Sequence, residues 1–467
     1  MSGLTSTGGQ RRNQVRGYAG DLRPRSVAEL LEGSPFVGYG YAYPHKTAYR
    51  ELQPARRLDA LWATQSRESL FLYVHVPFCA VRCGFCNLFT QKHPPEQLPR
   101  RWLDTLARQV AVVRAAMPDA SFARWALGGG TPTLLEPELL AELAELMRDG
   151  MGVALEHRPG SIETSPETCT DARLAIASAL GEPRISIGIQ SFFADELKAL
   201  GRPQAVHQGE EALDRIRSHS FSKLNIDLIY GIAGQTPASF VAAIERALSH
   251  WAPEQLYLYP LYQRPLTGLG RRNRSWDDDR LALFRAGRDH LLAAGYEQVS
   301  MRMFERPRAA TSTEPPAPRY CCQSDGMVGL GVGARSYTQG LHYSDDYAVG
   351  SAGIRAIVGD WVERDDAAFA EARYGIELDG DEQRRRYMIQ SLLQREGLVE
   401  ADYRARFGTE ARVDFETELA ELVEHGLMAE TGAGLVPTLR GLEWADAIAP
   451  WFYSEAVRAA SRAFELR

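Results

Sequence analysis

Hydrophobic positions along the middle of the chain switch between two rhythms. Short runs rich in β-formers alternate with longer stretches whose apolar residues recur every three or four positions. The short runs are Leu70–Val76, 124–127, 161–164, 184–189, 224–229 and 255–259, and each predicts a buried strand. The longer stretches predict helices over 97–116, 136–149, 169–180, 195–218 and 237–249. In the first of these Leu103, Leu106, Val110 and Val113 share one face. Strictly alternating strands and helices predict a parallel α/β sheet. Six such units over about 190 residues fall short of the eight of a closed barrel, so a partial six-stranded barrel is expected.

The flanks follow other patterns. Residues 1–34 are polar and arginine-rich and predict a disordered tail, with a short capped helix at Ser26-Val-Ala-Glu. The arm 35–69 contains the irregular aromatic stretch 38–50, read as a loop packed over the core or as a substrate contact. After the barrel region 70–300, a helix over 275–296 uses Trp276, Leu283, Phe284 and Leu291, and the aperiodic 305–319 predicts a variable rim or lid. Residues 301–380 form a barrel-closing segment. In 381–467, helices over 381–394, 415–425 and 439–447 surround a two-stranded wing at 426–437, which predicts a small winged-helix-like domain.

Composition narrows the function classes. The 467 residues carry a formal net charge of −7, and the C-terminal helices mix both signs, so nucleic-acid binding is not expected. No apolar run has the length of a membrane span, and the chain begins without a signal-peptide pattern. Half of the six cysteines are clustered, unlike a disulfide framework, which fits a reducing cytoplasm.

The clustered cysteines are Cys79, Cys83 and Cys86, just beyond the first strand, which Pro77 ends. Structural zinc sites usually use four ligands in two pairs, and no second pair is near. A [4Fe–4S] cluster takes one ligand per iron, so three cysteines would leave one iron open for a substrate or cofactor. Further polar residues end the later strands, where α/β sites are built. They are Glu163, Gln190 and Asp227, with Arg202 following the fourth strand and Gly128-Gly-Gly-Thr131 ending the second.

The phrase Tyr73-Val-His-Val-Pro-Phe-Cys, with CxxxCxxC and Phe85 before the last cysteine, resembles the radical S-adenosylmethionine (SAM) superfamily. Its branch is that of oxygen-independent coproporphyrinogen III oxidase and relatives. The resemblance implies a [4Fe–4S] cluster on Cys79, Cys83 and Cys86 whose open iron chelates SAM. It also implies that SAM is reduced to methionine and a 5′-deoxyadenosyl radical. SAM contacts implied by it are Phe85, Gly129, Gly130, Thr131, Glu163, Gln190, Arg202, Asp227 and Ile229. Tyr73, Gln190 and Asp227 are implied nearest the chemistry. The glycine-rich strand in 326–336 and the winged-helix-like domain match parts that close the catalytic domain in that branch.

Two departures shape the expected activity. The oxidases carry a fourth cysteine two residues after the third, where this chain has Leu88. Haem-trafficking relatives carry His-Asn-x-x-Tyr-Trp, where this chain reads Pro-Arg-Tyr-Cys-Cys-Gln. What remains resembles the class C radical SAM methyltransferases of natural-product pathways, including cyclopropane-forming enzymes. That implies a second SAM as carbon donor, with Tyr73 between the two, and an aromatic or heteroaromatic metabolite as substrate. A flavodoxin or ferredoxin reductant, and possibly a companion methyltransferase, are the implied partners. Oxidative decarboxylation of a porphyrinogen and a non-catalytic haem or cluster carrier are the alternatives.

Overall fold

The computed structural model describes residues 24–270, 279–307, 322 and 326–466. Six parallel strands run in sequence order, β1 (Leu70–Val76), β2 (Phe122–Gly129), β3 (Gly160–Thr164), β4 (Arg184–Gln190), β5 (Lys223–Tyr230) and β6 (Gln255–Pro260). Helices such as Leu98–Ala116 and Pro237–Trp251 cross between them. This is the α/β partial barrel expected, and β7 (Met327–Leu330) adds a seventh parallel strand beside β1, Gly329 opposite Tyr73. Antiparallel strands then extend both edges, to thirteen strands in one sheet among the described residues.

Side chains along the strands alternate between two faces. Leu72, Val74, Trp125, Leu127 and Ile162 pack outward on the helix layer in one core. Ile185, Ile187, Ile226, Leu228, Leu256 and Leu258 do so in a second. The intervening residues, Tyr73, Glu163, Ser186, Asn225, Asp227, Tyr257 and Tyr259, therefore face inward. Parallel strands buried on both sides normally read as unbroken apolar runs. The polar inner face marks a barrel built around a ligand rather than around a packed core.

Several expectations need correction. The helix over 195–218 is two helices, Ala194–Ala199 and Val206–Arg217. Gly201 takes a positive φ of 64° and Pro203 cannot donate to a helical ladder, so the chain breaks there and carries Arg202 in the gap. The arm is not wholly irregular, because Arg50–Arg57 pairs antiparallel with Glu371–Glu377. That strand was illegible because it is a sheet edge, mostly exposed and interrupted by Pro54, with no apolar alternation. The helix over 439–447 is likewise two, Leu439–Glu443 and Ala445–Trp451. The helix over 275–296 is described from Arg280 to Ala293, and Trp276 lies outside the described residues, as does 308–319 of the expected lid.

Of the expected disordered tail, residues 1–23 lie outside the described residues, and the remainder is folded. Val27–Leu31 forms the capped helix, with Ser26 Oγ accepting from the Glu29 amide at 3.2 Å. Val27 and Leu30 join the apolar core of the C-terminal region, and the Glu421 carboxylate accepts from the Val27 amide at 2.6 Å. Leu31 packs against the same core, so the apolar residues of this one helix dock it. In the C-terminal region the expected wing is present as Met428–Thr431 and Gly434–Pro437, with Leu398–Val399 as a third strand. Among the described residues no helix is long and apolar enough to cross a membrane.

Candidate functional site

The three cysteines leave β1 on a loop pinned at its base. Phe78–Cys79 pairs with Gln91–Lys92, and the Cys86 amide donates to the Cys83 carbonyl at 3.1 Å. Gly84 lets the loop lie on its neighbours, since a Cβ there would stand 2.5 Å from the Leu200 carbonyl oxygen. All three thiols are free and half-buried. Burial pushes Cys79 up to about 12, with Cys86 and Cys83 adding to the rise, and burial also raises Cys86. Thiols this hard to ionise want a positive charge, which a cluster's iron supplies.

The donor set fits one [4Fe–4S] cluster. Three sulfurs stand close enough to perturb one another electrostatically, on a loop whose backbone is already held. Among the described residues no three His, Cys, Asp or Glu side chains stand at the spacing of a single metal ion.

Around the thiols stand the other expected residues. Gly130 donates from its amide to the Val76 carbonyl at 2.8 Å, and Thr131 Oγ1 lies 3.6 Å from Cys79 Sγ. No side chain fits at Gly130, where a Cβ would meet the Phe78 carbonyl oxygen at 2.4 Å. Glu163 accepts from the Gly129 amide at 3.0 Å. Enclosure by the surrounding protein raises the pKa of its carboxyl above the ordinary carboxylate value, so Glu163 holds its proton more tightly. Gln190 ends β4 with a positive φ of 70°, at a bulge in the pairing of β4 with β5. A non-glycine residue there is strained, and such strain collects at functional sites. Phe85 and Ile229 pack in one small apolar cluster with Leu200 and Leu261.

Arg202 ties these parts together. It donates to Cys83 Sγ at 3.1 Å, to the Gly188 carbonyl at 2.7 Å and to Gln204 Oε1 at 2.6 Å. Asp227 accepts from Asn225 Nδ2 at 2.7 Å, and burial pushes its carboxyl up to about 7. Tyr73 OH lies 3.2 Å from His75 Nδ1, and the Tyr73 phenol is raised by burial and by Glu163. Cys169 is buried in a separate apolar core, its thiol donating to the Ala212 carbonyl. Cys322 is half-buried, and Cys321 lies outside the described residues.

Other inward-facing residues escaped the sequence reading. Arg184 donates to Gln255 Oε1 at 2.6 Å and Ser161 Oγ at 3.0 Å, closing the end of the barrel where the strands begin. Tyr257 and Tyr259 stack 5.7 Å apart. The signal that could have found them is the two-residue alternation within Gln255-Leu-Tyr-Leu-Tyr. Arg302 and Asp446 form an ion pair over the mouth, and Tyr39 of the arm lies 4.2 Å from the Arg302 guanidinium. Nothing local signalled these contacts, because they join three distant segments.

A family model for the radical SAM superfamily matches residues 73–247, and one for the HemN C-terminal domain matches 378–444. An oxygen-independent coproporphyrinogen III oxidase of Cereibacter sphaeroides is 30% identical over 73% of this chain and 76% of its own length. Another, from Pseudomonas aeruginosa, is 28% identical over 85% of this chain and 87% of its own. A heme chaperone HemW of Mycobacterium tuberculosis is 32% identical over 50% of this chain and 58% of its own. The structure of coproporphyrinogen III oxidase (HemN) from Escherichia coli superposes with a TM-score of 0.72 at 23% identity, covering 87% of this chain and 96% of that one. These relatives lend no support to class C methyl transfer or to a second SAM as carbon donor.

Proposed function

The chain belongs to the radical SAM superfamily, in the branch of the oxygen-independent coproporphyrinogen III oxidases, and we propose that it oxidatively decarboxylates a carboxylate-bearing substrate held in its barrel. With cluster and SAM bound, reductive cleavage of SAM would supply a 5′-deoxyadenosyl radical able to take a hydrogen atom from the substrate. The protein's part is to bind, orient and keep water out. In this reading Glu163 and Asp227 would accept from SAM hydroxyls, and Gly129, Gly130 and Thr131 would offer backbone to its methionyl end. Arg202 holds the bulge at Gly188 against the cluster loop, and Gln190 is fixed by that bulge.

The observation that carries this reading is the polar inner face of the barrel, which gathers Glu163, Gln190, Arg202 and Asp227 around three thiols. Phenols and cations line the space beyond, which suits a substrate with both apolar and anionic parts. Loss of hydrogen from the carbon β to the carboxyl carbon leaves a radical. Carbon dioxide then departs, one electron passes to a one-electron acceptor, and a carbon–carbon double bond remains. A flavodoxin or ferredoxin is the proposed reductant for the cluster.

One observation favours a second reading, methyl or methylene transfer from a second SAM. Leu88, where the oxidases carry a fourth cysteine, is 54% exposed and holds no ligand atom. Anaerobic incubation with reductant, coproporphyrinogen III and methyl-labelled SAM separates the readings. Decarboxylation gives 5′-deoxyadenosine and a product that has lost carbon dioxide and gained no label. A product carrying one labelled carbon would replace it with methyl transfer. SAM left uncleaved by the reduced protein would replace both with a carrier role.

A further inference from the structure

The arm and the strand after β7 carry charges that the SAM pocket does not use. Lys46 lies in the helical turn Lys46–Ala48 and is 3% exposed. Its Nζ donates to the Gly333 carbonyl at 2.6 Å, which spends one of its three donors. Two residues on, Arg335 opens the strand Arg335–Tyr337. Ser336 turns away from the barrel and donates nothing inward, its Oγ accepting from the Gly329 amide at 2.9 Å. By strand alternation Arg335 therefore faces the interior, on the side of Tyr73.

The groups that act on Arg335 are phenols, those of Tyr337, Tyr49 and Tyr347. The Tyr49 hydroxyl is wholly buried and has no hydrogen-bond partner. Asp345 and Asp346 supply part of the counter-charge to Lys46, although Asp345 is shared with Arg364 at 2.8 Å and the Gly333 amide at 3.1 Å, and Asp346 Oδ1 accepts from the Tyr347 amide at 2.7 Å. Burial and the nearby Arg335 pull the Lys46 amine down to about 7. His45, beside it, is pulled down by burial and by Arg335, Arg264 and Lys46.

Enclosed cations are costly unless a counter-charge meets them. Here two of them, one from the arm and one from the strand after β7, lie beside a phenol whose hydroxyl has no hydrogen-bond partner. We infer that Lys46 Nζ and the Arg335 guanidinium seat a carboxylate of the substrate next to Tyr73. The inference rests on the reading that the barrel interior takes the substrate. It adds which residues recognise that substrate and by which group.

The test uses the anaerobically reconstituted holoprotein and needs no turnover. Its thermal midpoint is measured with succinate and with chloride at equal ionic strength. Succinate raises the midpoint of the unaltered chain. Lys46→Met and Arg335→Met each weaken succinate at least about tenfold, while SAM affinity stays within about twofold. Lys46→Arg, which keeps the charge, retains the response. A response surviving in both Met variants, or absent from the unaltered chain, overturns the seat. Inorganic phosphate stabilising more than succinate overturns its assignment to a carboxylate. A second SAM equivalent that binds and is lost in the same variants overturns its assignment to the substrate. Failure of the decarboxylation reading shows separately, in the product.

Discussion

Arg202 and Cys83 stand 119 residues apart in the chain, yet Nη1 of the arginine donates to the sulfur of the cysteine at 3.1 Å. The other arms of the same guanidinium hold the Gly188 carbonyl and Gln204. One side chain thus couples the cluster loop to the bulge that fixes Gln190. Hydrogen bonds and charge at ligating sulfurs set cluster potentials. Arg202→Met should keep the iron and lower the midpoint potential, since a cation that favours the reduced cluster is removed. Potentiometry with the iron content measured alongside checks this, and an unchanged potential would exclude the coupling.

Cluster assembly should depend on Cys79, Cys83 and Cys86 alone. Alanine at any of them should abolish SAM cleavage, and alanine at Cys169 or Cys322 should leave iron and sulfide content unchanged. Iron analysis after anaerobic reconstitution decides it. Four irons retained in the triple variant of the loop would refute the assignment.

Glu163 accepts from the Gly129 amide and faces the proposed SAM site. Glu163→Gln keeps the shape and removes the charge. Losing one charge-assisted hydrogen bond costs about 1.5–3 kcal/mol, or roughly ten- to a hundredfold in SAM affinity. Equilibrium binding of SAM to the oxidised holoprotein reads this, with the cluster absorbance unchanged. Equal affinity in the variant would remove Glu163 from the pocket.

Asp227 gives a dependence on pH. Its folded carboxyl, raised by burial from 3.8 to about 7, holds its proton more tightly than the unfolded one. Folding therefore binds a proton in this window, and stability from this group is full below about 4 and falls as pH rises towards about 7, by at most about 1.4 kcal/mol per unit. Asp227→Asn carries no such charge. Its thermal midpoint should gain on the unaltered chain as pH rises from about 5 to about 8. A gap that stays constant with pH would show that Asp227 is not held protonated.

The mouth of the barrel is closed by a buried ion pair between Arg302, 4% exposed, and Asp446, 5% exposed. Tyr262 also donates to Asp446, at 2.6 Å. Asp446→Ala leaves the Arg302 charge uncompensated and should cost about 3–5 kcal/mol of stability. Arg302→Met with Asp446→Leu should recover most of it, because a matched apolar pair removes both charges. Denaturant unfolding of the two variants checks the difference, and an additive loss in the double variant would count against coupling.

Local pattern alone determined the barrel and the cluster loop. The parallel strands and most crossing helices follow from apolar periodicity, which the backbone obeys wherever burial is uniform along a strand or helix face. Cys79, Cys83 and Cys86 lie within eight residues, so their chemistry needs no folding to be seen. Glu163, Gln190 and Asp227 end strands, and strand ends are where a parallel sheet builds its site.

Only the tertiary structure decided the rest. Arg202 reads as part of a helix until Gly201 and Pro203 break it, and only the folded loop brings it onto a cysteine sulfur. Arg50–Arg57 becomes a strand because a partner 320 residues away offers its edge, which no feature of the strand itself reveals. Val27 and Leu30 dock the tail on a core assembled from residues near 420 and 450. Lys46 and Arg335 sit in unremarkable sequence, and their meaning comes from the phenols and buried backbone that surround them. Periodicity encodes which face of a segment is buried. It does not encode which distant charge or ring that segment will meet.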